Sequence, residues 1–258
     1  MINKDSRNDD KNLVYGRNVV LELLKKEEDV LEEIYIYSGI EKSFTDELNR
    51  EANSKKIKIT SLDKKQFEKI SSEQKSQGVV ARIKPYKYSS LEDILEFSKA
   101  KEKDPFLLIL DKIEDPHNLG AIIRTAEAFG IHGIILPQHR SAHINPTVYK
   151  TSAGIVSHIR ICIENNINNT IDYLKKNNFW IYGADANAKM LSYNIDYKGP
   201  IALIIGNEGK GISRLTSLKC DILIKIPLYG KTESLNASVA AGIIMYDITR
   251  IRNTKSLL

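Results

Sequence analysis

The residues best suited to chemistry crowd into "GKTESLNAS", residues 230–238. Lys231, Thr232, Glu233, Ser234, Asn236 and Ser238 stand there just ahead of an apolar run from Val239 to Met245. One Ser or Asn suffices to cap the helix such a run forms, and Asn236 or Ser234 fills that place. The surplus of hydroxyl, amide and charged groups describes a loop that binds or positions a substrate. A second loop, "IIGNEGKGIS" (204–213), sets Gly206, Gly209 and Gly211 around Glu208. Its G-x-x-G-x-G spacing fits neither a Walker A loop nor a dinucleotide fingerprint. The glycines still admit close backbone approach to a ligand, and Glu208 suits a site that holds a cation or orients hydroxyls. In a third stretch, "DPHNLGAIIRTAEAFG" (115–130), Asp115 and Pro116 form a turn and Asn118 is placed to cap the following helix. Arg124 lies beside Ile122, Ile123 and Ala126, and its planar fork matches phosphate or carboxylate.

These stretches need elements to hold them. From residue 106 the chain alternates apolar strand runs ("FLLILD", "GIILP", "RICI", "FWIYGAD", "PIALIIGNE", "DILIKIPLY") with helical patterns, among them "NPTVYKTSAGIVSHI" and 236–252. Near-continuous apolar strands between helices predict an α/β parallel sheet covered on both faces. Ligands in such sheets lie beyond the carboxyl ends of the strands. The loops 111–120, 206–211 and 227–236 are the polar, glycine-bearing strand ends. Ahead of that region, residues 12–86 read as a small α/β domain: a helix in 15–27, strands in "LEEIYIYS", "KIKIT" and "GVVARIK", and helices in "FTDELNREANSK" and 63–70. Residues 87–104 read as a linker with one amphipathic helix, 105–258 as the second domain, and 1–11 as a disordered tail.

The 258 residues are 42% hydrophobic and 28% charged, ordinary for a soluble globular protein. No run is long enough to cross a bilayer, and the charged, polar start reads as neither a secretory signal nor a membrane anchor, so no membrane partner is expected. Cys162 and Cys220 sit in apolar runs without metal spacing, so both read as core residues of a reduced, cytoplasmic protein, and no metal site is expected. The net charge is +5, and residues 55–87 carry ten Lys or Arg against three acids. That run is a solvated surface or an electrostatic footprint for RNA, and composition alone weighs the two evenly.

Together, "NLGAIIRT" (118–125), "GNEGKGI" (206–212) and "PLYGKTESLNAS" (227–238) resemble the three motifs of the SpoU/TrmH-type RNA ribose 2′-O-methyltransferases of the SPOUT superfamily. The stretches "YGRNVVLELLKK" and "QGVVARIKPY" look like the L30e-like substrate-binding domain of the 23S rRNA guanosine 2′-O-methyltransferases in that family. The resemblance implies a six-stranded parallel sheet with a deep trefoil knot, S-adenosyl-L-methionine as cofactor, and a homodimer. It implies that Gly206, Ile226 and Leu235 hold the cofactor, and that Asn118, Arg124, Glu208, Ser234 and Asn236 form the catalytic site. The implied partner is RNA, either 23S rRNA or an assembling large subunit. A tRNA ribose methyltransferase and a non-catalytic RNA-binding assembly factor are the competing readings. A triphosphate-cleaving enzyme is disfavoured by the failed phosphate-loop spacing.

Overall fold

The computed structural model describes residues 12–25, 30–71, 76–101 and 104–254. The tail expected at 1–11 lies outside the described residues. Two compact units divide the chain, one of residues 1–87 with 144–154, the other of 88–143 with 155–258.

In the first unit the order is β1 (Leu13–Tyr15), α1 (Arg17–Lys25), β2 (Leu31–Tyr37), α2 (Lys42–Ser54), β3 (Lys58–Leu62), α3 (Lys64–Ile70) and β4 (Val79–Ile83). The sheet runs β1-β4-β2-β3, with β2 and β3 parallel and the other pairs antiparallel. Alternation in "LEEIYIY" buries Ile34 and Ile36 and leaves Glu33, Tyr35 and Tyr37 partly exposed, as a period of two requires. Asp63 starts α3 through a capping box with Gln66. Phe67 on that helix then closes a cluster with Leu13 and Val80. The strand β1 is not among the strands expected: three residues are too few to show a period, and the helix expected over 15–27 takes in Tyr15.

The second unit begins with α4 (Leu91–Lys99), started by a Ser90–Asp93 capping box. This helix lies within the stretch read as a linker, and its Leu91, Ile94 and Leu95 are buried with Leu107, Ile109 and Ile135. Next come β5 (Phe106–Asp111), α5 (Pro116–Ala128) and β6 (Gly133–Pro137). The helix α6 (Pro146–Thr151) groups with the first unit. The chain continues through β7 (Ile161–Glu164), α7 (Ile167–Lys176), β8 (Trp180–Ala184), β9 (Met190–Leu191), β10 (Ile201–Gly206), α8 (Arg214–Lys219), β11 (Ile222–Lys225) and α9 (Ala237–Thr254). One helix had been expected across 145–159. Ala153 and Gly154, at φ 50° and 71°, end it after α6 and leave a short 3-10 turn at Ile155–His158.

All strand pairs of the second sheet are parallel, in the order β7-β6-β5-β10-β8-β11-β9. Every residue of β5 is buried, and so are Ile201–Ile205 of β10. That is why these strands read as unbroken apolar runs. The sheet has seven strands rather than the implied six, the addition being the two-residue edge strand β9 on β11. The expected strand "DILIKIPLY" stops at Lys225, where the chain turns away from the sheet ahead of Pro227. No described helix is long and apolar enough to cross a membrane.

Candidate functional site

The carboxyl ends of β5 and β10 carry the first two loops side by side, since these strands are neighbours in full register from Phe106–Ile201 to Asp111–Gly206. Asp115 caps α5 by accepting from the His117 amide at 2.9 Å, with Pro116 in the first turn. The cap expected at Asn118 is therefore corrected. With Asp115 already at the helix end, the Asn118 side chain is released for contacts between loops.

The second loop folds back on itself. Asn207 and Gly211 exchange backbone hydrogen bonds at 3.1 and 2.7 Å, and Gly211 takes a left-handed φ of 63°. A Cβ on Gly206 would lie 2.1 Å from the Gly211 carbonyl carbon, so only glycine lets the loop close here. Asn207 accepts from the Gly209 amide at 3.0 Å and donates to the Lys112 carbonyl at 3.2 Å, tying this loop to the one after β5.

The third loop arrives at the same place. Asn236 Oδ1 accepts from the amides of Ser238 and Val239 at 2.9 and 3.3 Å and from the Ser238 hydroxyl, capping α9. Its Nδ2 donates to Asn118 Oδ1 at 2.9 Å and to Glu208 Oε1. Asn118 Nδ2 donates to the same Glu208 oxygen at 2.6 Å, and the Ala237 amide does so at 3.3 Å. Thus one carboxylate oxygen gathers three N–H donors from two other loops. Of the two chemistries open to Glu208, this is the work of an acceptor that orients polar groups. Thr232 donates to the Ser234 carbonyl at 2.9 Å, and the exposed Ser234 hydroxyl makes no hydrogen bond among the described residues.

Beside this network lies a cavity of about 850 Å³. Gly206, Ile226 and Leu235 line it, as do Glu208 and Ser234. Asn118 and Asn236 are not in its wall but brace Glu208. Arg124 joins neither group. It is exposed on α5 and, among the described residues, makes no hydrogen bond or ion pair. Two parts of the site escaped the sequence reading. Asn207 holds the loops together, and its side-chain role carries no local signal. The wall formed by Ala184, Asp185, Ala186 and Asn187 runs on from the last residue of β8; it too is a polar strand end, but these four residues include no glycine to mark it.

A parallel α/β sheet with a closed glycine loop and a polar cleft at its carboxyl edge defines a nucleotide- or cofactor-binding α/β protein. The model of the SpoU rRNA methylase family matches residues 105–246, and that of the RNA 2′-O ribose methyltransferase substrate-binding domain matches residues 13–89. The chain belongs to the SpoU rRNA methylase family. A Bacillus subtilis (strain 168) protein assigned to the TrmH family of tRNA/rRNA methyltransferases, YacO, is 41% identical over 240 residues, covering 93% of this chain and 96% of the relative. The SpoU methyltransferase AviRb of Streptomyces viridochromogenes, solved with AdoMet, superposes with a TM-score of 0.75 at 23% identity, covering 98% and 95% of the two chains. An AdoMet-bound rRNA methyltransferase from Sinorhizobium meliloti gives a TM-score of 0.70 at 23% identity, covering 94% and 88%.

This chain is an S-adenosylmethionine-dependent RNA methyltransferase of the TrmH/SpoU family. Its cleft fits that cofactor: Gly206 permits main-chain approach, Ile224, Ile226 and Leu235 offer apolar contact for an adenine, and Asp185 offers a carboxylate for hydroxyls.

Proposed function

We propose that the protein methylates the 2′-hydroxyl of a guanosine ribose in 23S rRNA, with residues 12–86 gripping the RNA and the second unit carrying out transfer as a homodimer. The convergence of Asn118 and Asn236 on Glu208 Oε1 carries this reading. It fixes three loops, distant in sequence, around one polar point at the cleft's edge. The family description, an rRNA methylase, and the second model match, a ribose 2′-O substrate-binding domain, support the ribosomal target and the ribose oxygen. For the homodimer, support comes from Val239, Ile243 and Tyr246, exposed on α9 at a spacing that places them on one face.

The cofactor supplies a sulfonium methyl, an electrophile that needs no further activation. The chain's own task is alignment and management of one proton. Gly206, Ile226 and Leu235 hold the donor; Ser234 positions the ribose hydroxyl; Asn118, Glu208 and Asn236 keep the loops in place. The side chain of Arg124 is a guanidinium, by its chemistry a poor base. Its role here is to orient a phosphate that takes up the charge of the departing proton.

Labelled methyl groups from S-adenosylmethionine, offered with rRNA and tRNA from a deletion strain, test the reading. The expected result is label at a single guanosine of 23S rRNA. Label confined to tRNA, or to a base rather than a ribose, overturns it.

A further inference from the structure

Two basic residues of the second unit occupy the left-handed region that side chains other than glycine seldom enter: Lys112 at φ 65° and Arg140 at φ 56°. Both stand just beyond the carboxyl ends of adjacent strands, β5 and β6. The loop after β6, "QHRSAH" (138–143), brings His139, Arg140 and His143 together, and Gln138, His139 and Arg140 are exposed.

This loop is fastened to the catalytic loops in series. Ala142 donates its amide to the Ile113 carbonyl at 2.7 Å, and Ser141 donates its hydroxyl to the same oxygen at 3.4 Å. One residue back, the Lys112 carbonyl accepts from Asn207, the neighbour of Glu208. The Gln138 amide donates to the Glu164 carbonyl at 2.9 Å, while its own carbonyl lies 3.2 Å from His143 Nε2. The ring of His143 also meets Tyr88 edge-on at 6.4 Å. Held at both ends, the turn keeps Arg140 in a conformation that costs energy. Such strain persists where surrounding contacts over-determine it.

Among the described residues, neither His139 nor Arg140 makes a hydrogen bond or ion pair. The acid nearest Arg140 in the chain is Glu127, thirteen residues back, and the one beside Lys112 is Asp111, whose buried carboxylate accepts from the Ser213 amide at 2.9 Å.

We propose that Arg140, with His139 next to it in the loop and Lys112 one residue before the anchoring Ile113, binds a backbone phosphate of the RNA a few nucleotides from the methylated ribose. This deepens the reading above and rests on RNA being the substrate. The span fits: β6 and β10 are two strand spacings apart, roughly 10 Å, about three stacked nucleotides at the rise of a single strand. Arginine suits the task, because its fork pairs with two phosphate oxygens at once. The loop thereby sets the register of the RNA strand, separately from the donor cleft.

The test is Arg140→Gly in the full chain, which removes the charge and relieves the left-handed backbone, so folding is kept. Binding of the target RNA is measured across salt concentrations without the methyl donor, beside thermal melting and S-adenosylmethionine affinity. The expected outcome is melting at or above wild type, unchanged donor affinity, RNA binding weakened about five-fold, and a log–log salt slope shallower by about 0.7–0.9. Arg140→Lys should keep the slope and recover part of the affinity. A glycine variant with wild-type slope and affinity overturns the proposal. Wild-type protein that binds RNA yet transfers no methyl group sinks the functional reading instead, while the slope comparison still decides this one.

Discussion

Each unit carries a polar network centred on one glutamate, and the two are built in opposite ways. In the first, Glu33 accepts from Tyr35 at 2.9 Å, Thr60 at 2.7 Å and Lys58 at 2.9 Å, while Arg82 donates to the Tyr35 hydroxyl at 3.3 Å. These partners are what the strand register dictates, since Glu33 pairs with Lys58 and Arg82, and Tyr35 with Thr60. The ladder alone would bring them together, and the side chains add a few tenths of a kcal/mol to about 1 kcal/mol per pair. In the second unit, Glu208 binds Asn118 and Asn236, which lie 90 and 28 residues away in loops that no ladder aligns. One network decorates a frame that already exists. The other is part of the frame, which suits it to the reacting centre proposed for it.

The largest test of this contrast is Gly206→Ala. The added carbon would meet backbone, not a yielding side chain, so the loop bearing Glu208 cannot close. Stability should fall by about 3 kcal/mol, with loss of donor binding by calorimetry. Normal binding would show that the loop's closure is dispensable.

Arg124 stands outside both networks and comes next. Arg124→Ala should lower single-turnover methyl transfer by about 100-fold or more, while melting temperature and donor affinity stay at wild-type values, because the side chain is exposed and has no partner among the described residues. Near-normal turnover would remove it from the reaction.

Coupling between amides is a smaller effect and bears on the contrast most directly. Asn118→Ala and Asn236→Ala both lose a donor to Glu208, and Asn236→Ala also loses the cap of α9, worth about 1 kcal/mol. If one carboxylate unites the loops, the double mutant should be less impaired in transfer than the two single losses combined, with a coupling of about 1–2 kcal/mol. Strict additivity would mean that the residues act apart.

The buried strands and the three polar loops were legible in the sequence for a physical reason. Burial on both faces leaves an unbroken apolar run such as "FLLILD", and a single cap cannot account for Ser234, Asn236 and Ser238 together. What was not legible depends on partners far along the chain. Asn118 looks like a cap because capping is a local rule, and only the fold shows that Asp115 holds that position. Two- and three-residue strands such as β9 and β1 are too short to display a period, so only pairing reveals them.

The smallest expected effect is that of Glu33, and its sign follows from proton binding. Burial pushes the carboxyl up, but the hydrogen bonds from Thr60, Lys58 and Tyr35 outweigh this and hold it below its ordinary value of 4.5. A carboxyl depressed in the folded state releases its proton more readily there than in the unfolded chain. Its stabilisation is therefore complete above the unfolded value and fades as pH falls through the folded one. Glu33→Gln should cost about 1 kcal/mol or less at pH 7, with the gap to wild type narrowing below about pH 4.5. Methyl transfer should not change, because the strand register holds this surface in place without the carboxylate. A gap that widened in acid would mean that the network is a strained arrangement imposed on the sheet, and the contrast with Glu208 would lose its first half.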